Sequence, residues 1–249
     1  FDIPFTVTVI VTIALIWVYT FKGGIKTIVW TDTLQTFFLV SAVIFTIIAI
    51  NNILDFDGVG IVERISSHRT SQIFFWEWRS ENNFFKQFFA GMFITIVMVG
   101  MDQDMMQKNL TCKNKKEAQK NMIVFSFSFL AAVFLFLCLG VLLYIFAEQT
   151  GIAIPAKTDE LYPLIALNHL SLPVGIAFLL GITAAAYSSA DSALTALTTS
   201  FSVDFLNIDK YKEESKKRSI KKRAHIMFSV LLIIVILVFR AISDESIVV

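Results

Sequence analysis

Residues 181–205, GITAAAYSSADSALTALTTSFSVDF, are apolar enough for a membrane helix yet carry many hydroxyl groups and the carboxylate of Asp191. At about 100° per residue, the small and oxygen-bearing side chains fall on one stripe, with Ser189 and Asp191 beside it. The stripe consists of Gly181, Ala185, Ser188, Ser192, Thr195 and Thr199. An ionisable group in hydrocarbon costs a few kcal/mol, so it normally faces a bundle interior or a water-filled cavity. The pattern therefore predicts an ion or substrate path along this face.

Helix packing is an alternative explanation for the same stripe. Small residues let membrane helices approach closely, and Ser and Thr hydroxyls form hydrogen bonds across the interface. The residue types alone leave both explanations open.

Two further apolar segments carry polar side chains near one end. Thr31, Asp32 and Gln35 place a hydroxyl, a carboxylate and an amide in the first turns of an apolar helix, although an acid near a helix start is also favoured by the helix dipole. Asp102 and Gln103 close another apolar segment, where they could form an interfacial cap or bound a gate.

The elements that must position these residues are membrane-spanning helices. The 249 residues are 56% hydrophobic with a mean hydropathy of +0.70, which excludes an ordinary soluble globule. Six segments are long enough to span a bilayer, at about 3–20, 25–50, 84–106, 122–146, 173–204 and 226–242. We predict an all-α, polytopic membrane helical bundle that forms one transmembrane domain over residues 1–249, with the lipid bilayer as its surroundings.

Charge and metal-ligand content narrow the function classes. The net charge of +1 supports no nucleic-acid partner. The three histidines and two cysteines lack metal-ligand spacing, so no bound cofactor is expected. Most lysines and arginines follow the first, third and fifth spans, which predicts that these loops are cytoplasmic. The pair Gly23-Gly24 predicts a tight turn between the first two spans.

Three motifs resemble those of the sodium:solute symporter family. Ala185-x-x-Ser188-Ser189-x-Asp191-Ser192 is similar to the family's A-x-x-S-[ST]-x-x-S segment. Residues 19–36, YTFKGGIKTIVWTDTLQT, resemble Y-T-x-x-G-G-L-x-x-V-x-x-T-D-x-x-Q, and residues 101–119 resemble D-Q-x-x-x-Q-R-x-L followed by x-E-A. The resemblance implies part of a leucine-transporter-type inverted-repeat fold, covering roughly its core helices four to nine.

The same resemblance implies a function and site residues. The Ala185 carbonyl and the Ser188 and Ser189 hydroxyls are expected to bind sodium. Asp32 is expected on a second sodium site or the inner ion path, and Asp102 and Gln103 at the inner gate. The position of Asp191 one turn from Ser188 in an apolar helix adds Asp191 and its neighbour Ser192 to the same second site or path. The expected function is sodium-coupled symport of a small organic solute by alternating access, in the cell membrane, with sodium as the coupling ion.

One departure from the family bears on the solute, and two other functions compete with symport. Sugar-transporting relatives carry a gating Tyr where this chain has Met98 and a sugar-binding Lys in the next helix, whereas residues 124–146 contain no charge. A symporter-like sensor domain of a signalling protein is one alternative, to be decided by whether a kinase module follows the last span. A membrane-embedded enzyme is another, but it would need a His or Cys with a partner within the spans.

Overall fold

The computed structural model describes residues 4–55 and 58–242, without the side chains of residues 19–28 and 58–59. All regular structure in this part of the chain is helical. The described α-helices are α1 (Phe5–Leu54), α2 (Gly58–Ser67), α3 (Phe84–Met101), α4 (Gln103–Leu110), α5 (Lys115–Thr150), α6 (Leu161–Asn168), α7 (Leu172–Ser200) and α8 (Glu214–Ile242). Short 3-10 turns lie at Arg69–Ser71, Thr158–Glu160 and Ile208–Lys210, and a π-helical turn, Phe201–Phe205, follows α7.

The long apolar helices coincide with the predicted spans. Among the described residues, five helical segments are long and apolar enough to cross a membrane: Val29–Leu54, Phe84–Met101, Lys115–Thr150, Leu172–Phe205 and Glu214–Ile242. These match the second to sixth predicted spans. The first predicted span corresponds to a shorter apolar segment, Phe5–Val18.

The turn predicted at Gly23-Gly24 differs from the structure. The α1 backbone continues as one helix of 50 residues through both glycines. Glycine permits a tight turn but does not require one, and its cost inside a helix is only about 1 kcal/mol relative to alanine. The side chains at this position lie outside the described part of the chain.

The third predicted span ends earlier than expected. Asp102 leaves the helical conformation, with φ −70° and ψ 119°, and its N–H donates to the carbonyl of Met98. α4 begins at the next residue, Gln103. The span predicted over 84–106 is therefore divided into α3 and a short polar helix.

The chain divides into two compact units. The first comprises the described parts of Phe1–Leu34, Gln103–Lys108 and Ala184–Val249, and the second comprises those of Gln35–Asp102 and Asn109–Thr183. In the first unit the core consists of Val9, Ile13 and Ile16 of α1 and Leu194 of α7, against which Phe228 of α8 packs. This core holds α1, α7 and α8 together through an apolar side of α7.

The second unit has its own core between α1, α5 and α6. Val43 and Ile50 of α1 pack with Leu142 and Phe146 of α5 and with Ile165 of α6. The hydroxyl of Tyr162 lies 2.9 Å from that of Thr46, which also donates to the carbonyl of Ala42. Burial raises the pKa of Tyr162, with the hydrogen bond to Thr46 opposing, so the phenol stays neutral.

Candidate functional site

Four polar side chains meet in the first unit, and we call them the Asp32 cluster: Asp32 of α1, Asp104 and Lys108 of α4, and Ser188 of α7. Nζ of Lys108 lies 2.6 Å from Oδ2 of Asp32 and 2.6 Å from Oδ2 of Asp104. The hydroxyl of Ser188 donates a hydrogen bond to Oδ1 of Asp32. One oxygen of Asp32 is thus held by a neutral hydroxyl, and the other by an ammonium group.

The cluster combines a local pair with two distant residues. Asp104 and Lys108 are four residues apart on α4, a spacing that places both side chains on one helix face. Ser188 is separated from Asp32 by 156 residues of sequence, so only the packing of α7 on α1 brings them together. Ser188 is 5% exposed, whereas the three charged side chains are 25–27% exposed.

The ammonium of Lys108 remains charged in this environment. Burial by itself would lower the pKa of Lys108, but the hydrogen bonds and charges of Asp104 and Asp32 outweigh burial and raise it. Two carboxylates and one ammonium leave the cluster with one net negative charge. A partly buried site with oxygen donors and a negative charge favours a cation.

One turn towards the C-terminus of α7 from Ser188, the helix carries a fully buried carboxylate. Asp191 is 0% exposed and lies one turn along the same helix. Ser192 is half-buried beside it, and the buried hydroxyl of Thr195 has no hydrogen-bond partner within the described residues. A row of oxygen atoms therefore continues along α7 from Ser188.

The residues predicted for the first sodium site have different environments. Ala185 is half-buried, Ser188 is buried and Ser189 is exposed. Adjacent residues lie about 100° apart around a helix, so Ser189 faces away from the side that meets Asp32. Ser188, predicted for the first sodium site, donates a hydrogen bond to Asp32, which was predicted for the second group.

The glycine end of the stripe has a packing role. A Cβ atom on Gly181 would lie only 3.3 Å from the Cα of Leu39 on α1, so α7 approaches the α1 backbone closely there. Helix packing thus explains Gly181, whereas the contact of Ser188 with Asp32 is polar. A hydroxyl that donates across a helix interface is compatible with both explanations left open by the sequence, packing and an ion path.

The residues predicted for the inner gate lie at the α3–α4 corner. Asp102 and Gln103 are both exposed, and Asp102 ends α3. In the same motif Asp104 forms the ion pair with Lys108. Sequence reasoning therefore missed Asp104 and Lys108, although their i,i+4 spacing was a signal that could have found them.

Two other buried polar residues were also missed. Gln107 is 9% exposed on α4, next to Lys108 in sequence. Nδ1 of His225 on α8 lies 3.1 Å from the hydroxyl of Thr198 on α7, and His225 is 5% exposed. The burial of His225 depends on the packing of α8 against α7.

Comparison with known proteins identifies the family of the chain and several relatives that are named as sodium-coupled transporters. The family model described as the sodium:solute symporter family matches residues 1–249. The chain is 28% identical over 208 residues to the sodium/sialic acid symporter SiaT of Proteus mirabilis, covering 80% of this chain and 41% of that protein. It is 26% identical to the sodium/sialic acid symporter NanT of Aliivibrio fischeri, covering 84% of this chain and 41% of NanT. It is also 26% identical to the sodium/glucose cotransporter of Vibrio parahaemolyticus, covering 79% of this chain and 39% of that protein.

A solved structure shares the fold. The outward-open, substrate-bound structure of a Na+-coupled sialic acid symporter, described as revealing a novel Na+ site, superposes with a TM-score of 0.81 and 24% identity. The superposition covers 98% of this chain and 52% of that one. The predicted all-α membrane fold of the leucine-transporter type is thereby confirmed. The chain spans about two fifths of the length of the curated relatives described above.

Proposed function

The chain belongs to the sodium:solute symporter family, and from this premise we propose that the protein couples downhill sodium entry to uphill transport of a small organic solute. Membership and the five candidate spans make it an integral membrane protein, which we assign to the cell membrane. The relatives described above are all named as symporters or cotransporters, so neither the sensor hypothesis nor the enzyme hypothesis gains support.

One observation carries the proposal: the buried hydroxyl of Ser188 donates to the carboxylate of Asp32 inside a bundle of apolar helices. A hydroxyl has one proton and two lone pairs. While its proton is held by Asp32, the Ser188 oxygen can still offer a lone pair to a cation. The carboxylate orients this oxygen and increases its negative charge, as groups behind a metal ligand commonly do.

We assign two sodium positions along α7. In the first, the ion takes the carbonyl of Ala185 and the hydroxyls of Ser188 and Ser189. In the second, towards the inner face, it takes oxygens of Asp32, Asp191 and Ser192. Asp191 is fully buried one turn along α7 from Ser188, and it supports the second position because ionisable side chains inside membrane spans commonly line ion paths.

Transport requires that sodium bind two conformations with different affinity. In the proposed cycle, sodium at Ser188 favours the outward-open state, and its release along Asp32 accompanies opening of the inner face. We place the inner gate at Asp102 and Gln103, since both are exposed at the corner where α3 ends and α4 begins.

The solute is proposed only by class. The relatives are named for sialic acid and glucose. Met98 is 63% exposed on α3 where sugar-transporting relatives are expected to have a gating tyrosine, so a sugar bound in that manner is disfavoured. A small organic solute held by other contacts is consistent with both observations.

The test is uptake by the full-length protein in proteoliposomes. A panel of labelled sialic acid, sugars, amino acids and carboxylates is offered under an inward sodium gradient and under a matched potassium gradient. At least one solute should accumulate with sodium alone, and Ser188→Ala should raise the sodium concentration that gives half-maximal uptake. Ser126→Ala is the matched control, since this exposed serine bonds the carbonyl of Met122 in its own helix. If sodium drives no uptake and does not raise the melting temperature of the purified protein, the proposal is rejected.

A further inference from the structure

Lys108 occupies the place where a cation would meet Asp32. Its Nζ lies 2.6 Å from Oδ2 of Asp32, while Ser188 donates to the other oxygen. A sodium ion that uses Asp32 must therefore share Oδ2 with an ammonium group or displace it. Both carry a single positive charge, and sharing one oxygen would bring like charges into close contact.

Asp104 provides Lys108 with a second partner. Its Oδ2 also lies 2.6 Å from Nζ, and the two residues belong to the same short helix, α4. Lys108 can thus leave Asp32 without losing its ion pair with Asp104. Breaking a partly buried ion pair is costly mainly when one charge is left without a partner, and this arrangement avoids that cost.

We propose that Lys108 is a tethered cation that pairs with Asp32 when sodium is absent and withdraws to Asp104 when sodium binds. The inference rests on the proposed sodium-coupled function and adds a positioning residue to it. In both states each carboxylate of the Asp32 cluster faces a positive charge. The exchange lets sodium enter and leave without exposing a bare carboxylate in the bundle.

The proposal predicts that replacing Lys108 and replacing Asp104 change the sodium affinity in opposite directions. Lys108→Gln removes the competitor, so the half-saturating sodium concentration should fall about twofold to fivefold, the upper part of the range expected for loss of a partly exposed ion pair. Asp104→Asn removes the alternative partner, so Lys108 stays on Asp32 and the half-saturating concentration should rise by a similar factor. Lys108→Met also removes the charge but keeps an apolar side chain of similar length, so it replaces Lys108→Gln in the experiment if the Gln variant does not fold.

The measurement is the rise in melting temperature of the full-length purified protein as sodium chloride replaces choline chloride at constant ionic strength. This readout needs no solute. Lys116→Gln is the control for loss of charge, because Lys116 is exposed on α5, and it should leave the sodium dependence unchanged.

A double variant distinguishes an exchange of partners by Lys108 from a simple attraction of sodium by the negative charge of Asp104. If Lys108 exchanges partners, Asp104→Asn should have almost no effect in the Lys108→Gln background, because no ammonium remains to be retained. An equal effect of Asp104→Asn in both backgrounds would overturn the inference. The inference would also be overturned if sodium stabilises the wild type but Lys108→Gln and Lys108→Met both bind sodium no more tightly than the wild type does. A wild type that sodium does not stabilise would instead count against the proposed function.

Discussion

Replacing Asp32 by Asn removes one negative charge while preserving the shape of the side chain. The amide can keep both contacts of the cluster: its oxygen can accept from Lys108, and its NH2 group can donate to the oxygen of Ser188. Lys108 also retains Asp104 at 2.6 Å. We therefore expect a loss of about 1 kcal/mol or less in the free energy of unfolding.

The Asp32→Asn substitution should reduce the free energy of sodium binding more than it reduces the free energy of unfolding. Two unit charges 4 Å apart interact by about 4 kcal/mol at an effective dielectric constant of 20. Asp32 is 27% exposed, so water screens part of this interaction, and we take about half, roughly 2 kcal/mol. At 1.36 kcal/mol for each factor of ten, the half-saturating sodium concentration should rise about 30-fold.

The assay is sodium-dependent uptake or sodium-dependent thermal stabilisation of the full-length protein. Asp204→Asn is the matched control, since Asp204 is an exposed acid in the π-helical turn after α7, and its sodium dependence should match the wild type. Folded Asp32→Asn protein with wild-type sodium dependence would refute the assignment of Asp32 to the ion path.

Three further predictions follow from the same residues. Ser188→Ala and Ser189→Ala should each raise the half-saturating sodium concentration, and Ser188→Ala should also lower the melting temperature by about 2–4 °C because Asp32 loses a donor; wild-type sodium dependence of both would reject the first site. Asp191→Asn should weaken sodium coupling at near-normal expression, whereas Asp191→Leu should lose folded protein; normal coupling in the Asn variant would mean that the role of Asp191 is structural. Without the two native cysteines, Lys115→Cys should resist an impermeant thiol reagent in intact cells and Arg69→Cys should react; the reverse labelling would invert the predicted topology.

The helical architecture could be predicted largely from the sequence, because long apolar segments need helices to satisfy their backbone hydrogen bonds in a bilayer. The segment predicted over 173–204 lies within the observed Leu172–Phe205. Helix ends were less predictable. α5 begins at Lys115, where the side chain of Asn114 caps it, seven residues before the predicted start at 122, since hydropathy marks the apolar part of a helix and not its polar ends.

Periodicity also identified the polar face of α7, because residues three and four apart share one side of a helix. It singled out Ser188 and Asp191, which are 5% and 0% exposed. It also included Gly181, whose role is close packing on Leu39. Glycine and serine are both small, so their spacing alone does not separate a packing contact from a polar one.

The amino-acid sequence by itself determined the apolar helices, the oxygen-bearing face of α7 and the resemblance to sodium:solute symporters. Only the tertiary structure decided that Ser188 contacts Asp32 and that Lys108 joins Asp32 to Asp104. Helical periodicity specifies which residues share a face, but it does not specify which other helix that face meets. The lysine was interpreted from the sequence only as a sign of topology, because its partner on α1 lies 76 positions earlier and is brought near only by folding.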